Sequence, residues 1–218
     1  CGAARSGSAE DRHAARSAPV WQTSRGGNGG DSGMKADWKP GTLLAPVPVV
    51  MVSMADAAGK ANILTVAWTG IVSSDPVQVY ISVRPERYSY HILKETGEFV
   101  INAVTASLAR ACDYCGMVTG RKVDKFAKCG LTKEPSKVVR PPRIGESPLA
   151  LECRVTDVQD RGVHHMFLAE VVNVAVEDRC MDENGFLDLT RAGLVCYAHG
   201  QYMAVGDAIG KFGFSMKK

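Results

Sequence analysis

The sequence lacks the features that mark membrane and nucleic-acid-binding proteins. No apolar run approaches the roughly 18 residues that a membrane-spanning helix needs. The formal net charge is only +3, and lysine and arginine form no cluster interleaved with aromatic residues. We therefore expect no membrane span and no nucleic-acid partner.

The common cofactor and metal signatures are also missing. No GxGxxG turn follows a predicted strand and no P-loop is present, so a nicotinamide, if used, would not be held by a Rossmann turn. One C-x-x-C stands at Cys112 and Cys115, without the second ligand pair that a zinc site needs. A redox pair is the alternative, but buried structural thiols are the default, because free cysteine is usually buried. We predict no metal site.

The seven cysteines are odd in number and scattered through apolar surroundings. That pattern favours reduced thiols and a cytoplasmic protein over a disulfide framework.

Residues 1–33 differ from the rest of the chain. Glycine, alanine and serine dominate them and no periodicity is visible, which predicts a disordered extension. Residues 34–218 have ordinary globular character and are expected to form one domain.

Short apolar runs separated by turns indicate a mainly β protein with peripheral helices. Strands are predicted over 49–54, 62–68, 77–83, 99–103, 149–158 and 166–176. Helices are predicted over 88–96 and 107–115, with a helical turn near 124–129. The strands are consecutive, with a turn at 73–76 and another around Arg161, so we expect a small antiparallel barrel.

Two arginines, Arg84 and Arg87, stand where a strand ends and a helix begins. A helix N-terminus has unpaired N–H groups and partial positive charge, and guanidinium groups fit phosphate. Ser89 is expected to be the N-cap, and its hydroxyl would equally reach a phosphate oxygen. The alternative is an ordinary solvated turn followed by an ordinary cap.

A histidine pair, a tryptophan and a charged loop can also be interpreted from the residues alone. His164 and His165 are adjacent at the start of a strand, so they face opposite sides, and one is expected to be buried or at an interface and the other exposed. Trp68 ends an apolar strand and is more often a core residue than a cofactor platform. The charged loop 120–126 is either solvated, or covers an anion, or meets a second subunit.

Six segments, taken in order, resemble the flavin reductase-like FMN-binding split-barrel family, in its flavoredoxin-like branch. They are NILTVAWTG, ISVRPERYSYHIL, FVIN, DYCG, GRKVDKF and IGKFGFS, within residues 39–214. The resemblance implies a six-stranded antiparallel split β-barrel and a homodimer with FMN near the subunit interface. Cys112 departs from the family pattern, in which the DYCG segment is expected to carry only the second cysteine. The resemblance therefore gives no support to a function for the C-x-x-C.

The resemblance also implies a set of FMN-binding residues. Those along the isoalloxazine and ribityl chain would be Asn62, Thr65, Ala67, Trp68 and Thr69, with Ser82, Val83 and Arg84 following the ribityl and phosphate. Arg87, Tyr88 and Ser89 would hold the phosphate, and Arg121, Asp124 and Lys125 would approach from the long loop.

Two functions from different classes follow from this resemblance. In the first, NADH or NADPH reduces bound FMN, which passes electrons to a free flavin or another acceptor. In the second, the protein is an electron carrier between protein partners. A third option is an FMN-binding module with a sensing or structural role. No catalytic residue is predicted, because hydride chemistry belongs to the cofactor.

Overall fold

The computed structural model describes residues 35–216. The chain divides into two units, 1–41 and 42–218, and every strand and helix described below belongs to the second. The predicted disordered extension, 1–33, lies outside the described residues.

The described residues are mainly β. The strands are β1 Val47–Pro48, β2 Val50–Ala55, β3 Ala61–Val66, β4 Thr69–Ser74, β5 Val77–Val83, β6 Glu98–Ala103, β7 Lys133–Glu134, β8 Arg143–Ile144, β9 Leu149–Asp160, β10 His165–Val176, β11 Val195–Ala198 and β12 Gln201–Ala204. The helices are α1 Tyr88–Thr96, α2 Ala109–Met117 and α3 Lys125–Cys129, with short 3₁₀ turns at Ala106–Leu108, Asp178–Cys180, Leu189–Ala192 and Phe214–Met216.

A seven-stranded antiparallel sheet organises these elements. Its order is β3-β2-β6-β9-β10-β5-β4, and β1, β11 and β12 form a separate three-stranded sheet. All six predicted strands are present, and β9 pairs with β10 as predicted. The seventh strand, β4, was not predicted, and the expected turn at 73–76 is confined to Asp75 and Pro76. This edge strand contains Gly70 and two serines and exposes Ile71 and Val72, so it carries no core-facing alternation.

The helix predictions hold, with one correction at a cap. Helix α1 ends at Gly97, whose φ of +65° is the left-handed conformation that glycine adopts without strain. Its N-cap is Arg87, so the prediction that Ser89 caps the helix is wrong: Ser89 lies inside the first turn and is buried. Asp124 caps α3 by accepting a hydrogen bond from the backbone N–H of Ala127 at 3.2 Å.

Apolar side chains are buried on both faces of the sheet. On one face, β2 contributes Val52 and Met54 to a core that includes Phe99 and α1. On the other, Met51 packs in a cluster with residues of α2 and α3. Strand β2 is therefore buried along its whole length, which explains its continuous apolar run.

Both cysteines of the C-x-x-C belong to this second cluster. Cys112 and Cys115 are fully buried, and burial raises their pKa values to about 11 and about 12. Thiols that stay protonated are poor nucleophiles, so their surroundings fit the structural alternative rather than the redox one.

One carboxylate is buried under the loop that precedes β8. Glu152 is fully buried and accepts hydrogen bonds from the backbone N–H groups of Lys137, Val138 and Val139 and from Asn173 Nδ2. Burial acts to raise the pKa of Glu152, but these hydrogen bonds outweigh it and hold the pKa below its ordinary value. The carboxylate therefore ties an irregular loop to the centre of the sheet.

We expect Glu152→Gln to lower the free energy of unfolding by about 1–3 kcal/mol near neutral pH. The glutamine amide has only one acceptor oxygen, so at least one of the buried backbone N–H groups loses its acceptor. Because the folded pKa is depressed, this stabilisation is present above the unfolded pKa and is lost as pH falls through the folded value. Urea unfolding of wild type and variant should therefore converge in acid. Glu95→Gln, at an exposed position, is the matched control. Equal stability of Glu152→Gln and wild type at neutral pH would contradict this role.

Candidate functional site

Two adjacent cavities form one groove beside β3 and the start of α1. The larger has a volume of about 340 Å³ and the smaller about 240 Å³. They share Leu64, Arg84 and Arg87 in their walls. The shared wall makes the groove long enough to hold a ligand with one end in each cavity.

Most of the predicted site residues line this groove. Those in the larger cavity are Thr65, Ala67, Trp68, Ser82, Val83, Arg84 and Arg87. Those in the smaller cavity are Arg84, Arg87, Tyr88, Ser89 and Lys125. Residues from β3, β5, α1 and α3 thus meet, although up to 60 positions separate them in the sequence.

Trp68 lies at the rim of the larger cavity, just beyond the end of β3. Its side chain is 41% exposed, so the prediction from local pattern that it belongs to the core is wrong. The Trp68 carbonyl accepts a hydrogen bond from the backbone N–H of Ser82 at 2.9 Å, which fixes this segment against β5. The backbone of Trp68 is therefore fixed, and its indole ring borders the larger cavity.

The smaller cavity is lined mainly by hydrogen-bond donors. Arg84 and Arg87 are exposed at its mouth, and Tyr88 and Ser89 of the first turn of α1 line it, so the positive end of the helix dipole adjoins the cavity. The carboxylate of Glu86 lies at the rim, paired with Arg84 at 2.8 Å. Arg87 donates to the carbonyl of Gly116 at 3.2 Å, which joins α1 to the end of α2. This corner suits an anion.

Lys125 brings a buried ammonium group to the smaller cavity. It is 3% exposed, and its Nζ donates to the carbonyls of Ile63 and Cys115, both at 2.7 Å. An ammonium group has three N–H donors, so one remains for the cavity that Lys125 lines. Burial lowers the pKa of Lys125 to about 8.

Two predicted residues lie behind the groove rather than in its walls. Asn62 is buried, and its Nδ2 donates to Ser89 Oγ at 2.9 Å. The Thr69 hydroxyl donates to the backbone carbonyl of Tyr80 at 2.7 Å and lines neither cavity. Asn62 therefore supports a residue that faces the groove, whereas Thr69 joins β4 to β5 outside it.

Two predicted residues of the long loop also lie outside both cavities. The guanidinium of Arg121 lies over the ring of Tyr88, 5.5 Å from its centroid. The carboxylate of Asp124 accepts hydrogen bonds from Ala127 N and Lys133 Nζ. Within this loop, Lys125 alone among the three predicted residues reaches the groove.

Several residues that line the larger cavity were not predicted. They include Asp113, Met117, His164, Tyr197 and Tyr202. The hydroxyl of Tyr202 donates to Asp113 at 3.2 Å. Burial, with negative charge nearby, raises the pKa of Tyr202. The DYCG segment is the signal in the sequence from which Asp113 could have been found. Nothing local indicates that β12 would place Tyr202 beside it.

Both histidines of the pair are half-buried, so the prediction that one of the rings is exposed is wrong. Burial, followed by the positive charge of Arg84, lowers the pKa of His164. His165 Nδ1 instead lies 2.8 Å from the hydroxyl of Tyr90.

Residues 35–216 contain no group of three or more His, Cys, Asp or Glu side chains arranged for a metal ion. In the same range, none of the helices has the length and apolar character needed to cross a bilayer.

Comparison with known proteins identifies the family. Residues 43–206 match the flavin reductase like domain, and the chain belongs to that family. Flavoredoxin of Desulfovibrio vulgaris (Miyazaki F) is 32% identical with a TM-score of 0.80, covering 84% of this chain and 100% of that one. Flavoredoxin from Methanosarcina acetivorans is 26% identical with a TM-score of 0.75 and the same coverage. An uncharacterised protein of Archaeoglobus fulgidus is 33% identical over 123 residues, or 56% of this chain and 70% of its own length.

The fold prediction is thereby confirmed. The sheet is mainly antiparallel, and a putative flavin reductase with a split-barrel domain from Shewanella frigidimarina shares the fold at a TM-score of 0.69 and 22% identity. The family and the flavoredoxin-like resemblance are confirmed as well.

We expect the anion affinity of the smaller cavity to depend on the charge of Lys125. Sulfate keeps its charge above neutral pH, so its affinity should fall as pH rises through about 8, where Lys125 loses its proton. Lys125→Met should weaken sulfate binding by about 1.5–3 kcal/mol and abolish this pH dependence. Isothermal titration calorimetry measures both effects.

Lys128→Met, at an exposed position on the same helix, is the control and should retain the wild-type profile. A Lys125→Met protein with wild-type sulfate affinity across the pH range would show that the ammonium does not contact the anion.

Proposed function

We propose that the protein binds FMN in this groove, with the phosphate in the smaller cavity and the isoalloxazine ring in the larger one. The observation that carries this proposal is the donor set at one end: two guanidinium groups, a buried ammonium, a buried hydroxyl and a helix N-terminus. Such a set fits a phosphate dianion. The likeness to two flavoredoxins supports the same ligand.

The neighbouring cavity fits the other end of the same ligand. Its walls combine the apolar side chains of Val83, Met117 and Trp68 with a comparable share of polar groups, among them Thr65 and Ser82. Ligand sites for ring systems combine apolar walls with polar groups that set the orientation of the ring.

When bound, FMN would supply the capacity to accept and release electrons, and the chain would supply position and access. Arg84, Arg87, Ser89 and Lys125 would hold the phosphate. Trp68 and Val83 would exclude water from one side of the ring site.

The proposed activity is reduction of bound FMN by NADH or NADPH, followed by electron transfer to a free flavin or another acceptor. The membership of the chain in the flavin reductase like domain family supports this activity. A flavoredoxin-type electron carrier is the second candidate, favoured by the 32% and 26% identity to flavoredoxins.

Anaerobic rapid mixing separates the two candidates. For a reductase, the flavin absorbance of the FMN-loaded protein bleaches on mixing with NADH or NADPH. For a carrier, neither nicotinamide bleaches it within minutes, whereas a reduced protein partner does. Slow bleaching by both nicotinamides would overturn the reductase proposal.

We expect Arg87→Ala to weaken FMN binding by about 1.5–3 kcal/mol, the range for a lost charge-assisted hydrogen bond. Fluorescence titration with FMN measures the change. Arg110→Ala, which removes an exposed arginine of α2 outside both cavities, is the matched control. Because Arg87 also contacts Gly116, melting temperatures are compared first. Unchanged FMN affinity in Arg87→Ala would remove Arg87 from the phosphate site.

The homodimer and the cytoplasmic location stay predictions. Exposed apolar side chains, including Leu44, Ile71 and Val72, give a second copy a surface to cover.

A further inference from the structure

Asn62 occupies an unusual position for a residue expected to lie along the ring or ribityl chain. It is 4% exposed and lines neither cavity. Its carboxamide lies between Met54, Ser89 and the loop at Gly120. The side chain thus sits directly behind the cationic cavity rather than in its wall.

The surroundings determine which way the carboxamide faces. Nδ2 is 2.9 Å from Ser89 Oγ and 3.8 Å from Met54 Sδ. A thioether sulfur accepts hydrogen bonds but donates none, so the NH₂ group faces Met54 and Ser89. The oxygen faces Gly120, where an added Cβ would lie only 2.1 Å from Oδ1. The loop therefore packs directly against the amide oxygen and leaves no room there for a larger residue than Gly120.

This orientation has a consequence for Ser89. Its oxygen accepts a hydrogen bond from Asn62, so its own O–H is left to donate elsewhere. Ser89 is 2% exposed and lines the smaller cavity beside Lys125. A buried hydroxyl is thus turned into a donor that faces the same space as the buried ammonium.

We propose that Asn62 is a positioning residue for phosphate recognition: its carboxamide fixes the Ser89 hydroxyl as a donor into the cationic cavity. This inference rests on the proposed function and adds to it a residue that selects phosphorylated flavin over the unphosphorylated form. Asn62 acts through Ser89, and the phosphate contacts Ser89 rather than Asn62.

The test compares FMN with riboflavin, which lacks the phosphate. Wild type should prefer FMN. Asn62→Leu, which keeps the size but removes the amide, should weaken FMN binding by about five- to tenfold and change riboflavin binding less than twofold. Ser89→Ala should lower the FMN preference by a similar factor. Asn62→Leu made in the Ser89→Ala protein should then have little further effect, because the hydroxyl that Asn62 orients is gone.

The control is Asn184→Leu, at an exposed position outside both cavities, which should keep the wild-type preference. If Asn62→Leu lowers the affinities for FMN and riboflavin equally, or acts equally in both Ser89 backgrounds, its role is only structural and the inference is overturned. If wild type itself binds FMN no more tightly than riboflavin, the proposed phosphate site fails instead.

Discussion

The groove depends on a buried ammonium group. Lys125 donates to the carbonyls of Ile63 and Cys115, so one side chain joins β3 to the end of α2. Removing an ammonium group from water is costly, and burial lowers the pKa of Lys125. An anion in the adjoining cavity would offset part of that cost. The proposed phosphate would therefore be favoured by this buried charge.

The remaining positive charge at this corner is of a different kind. Arg84 and Arg87 are exposed, so their interactions are screened by solvent, including the pair that Arg84 forms with Glu86 and the hydrogen bond from Arg87 to Gly116. They suit the capture of an anion from solution. Lys125 and Ser89 are buried and held by hydrogen bonds, so they impose a fixed geometry on whatever is captured. Selectivity is expected to come from the buried pair.

Local patterns predicted the elements that local forces determine. The sequence predicted the strands with β-branched runs, the helix that ends at Gly97 and the position of the arginines ahead of α1, because each depends on neighbours a few residues away. It did not predict contacts between residues that are distant in the sequence. Nothing near Lys125 indicates that its ammonium meets the carbonyl of Ile63, 62 positions earlier. For the same reason the local pattern predicts Ser89 as a cap, although in the structure its hydroxyl lies inside α1 and accepts a hydrogen bond from Asn62 of β3.

The family resemblance supplied the set of candidate site residues, which local patterns did not. It did not supply the separate role of each residue. It named Asn62 and Asp124 with the residues that line the groove, whereas the structure places Asn62 behind the cavity and gives Asp124 the N-cap of α3. It gave no hint of Tyr197 and Tyr202, which reach the groove only because β11 and β12 form a hairpin next to α2.

One measurement tests the central claim most directly. The purified protein is incubated with excess FMN and desalted, and its visible absorbance is recorded together with its protein concentration. Flavin absorbance corresponding to about one FMN per chain is predicted, since the proposed site has the phosphate in the smaller cavity and the ring in the larger one. A protein that emerges colourless would contradict the account.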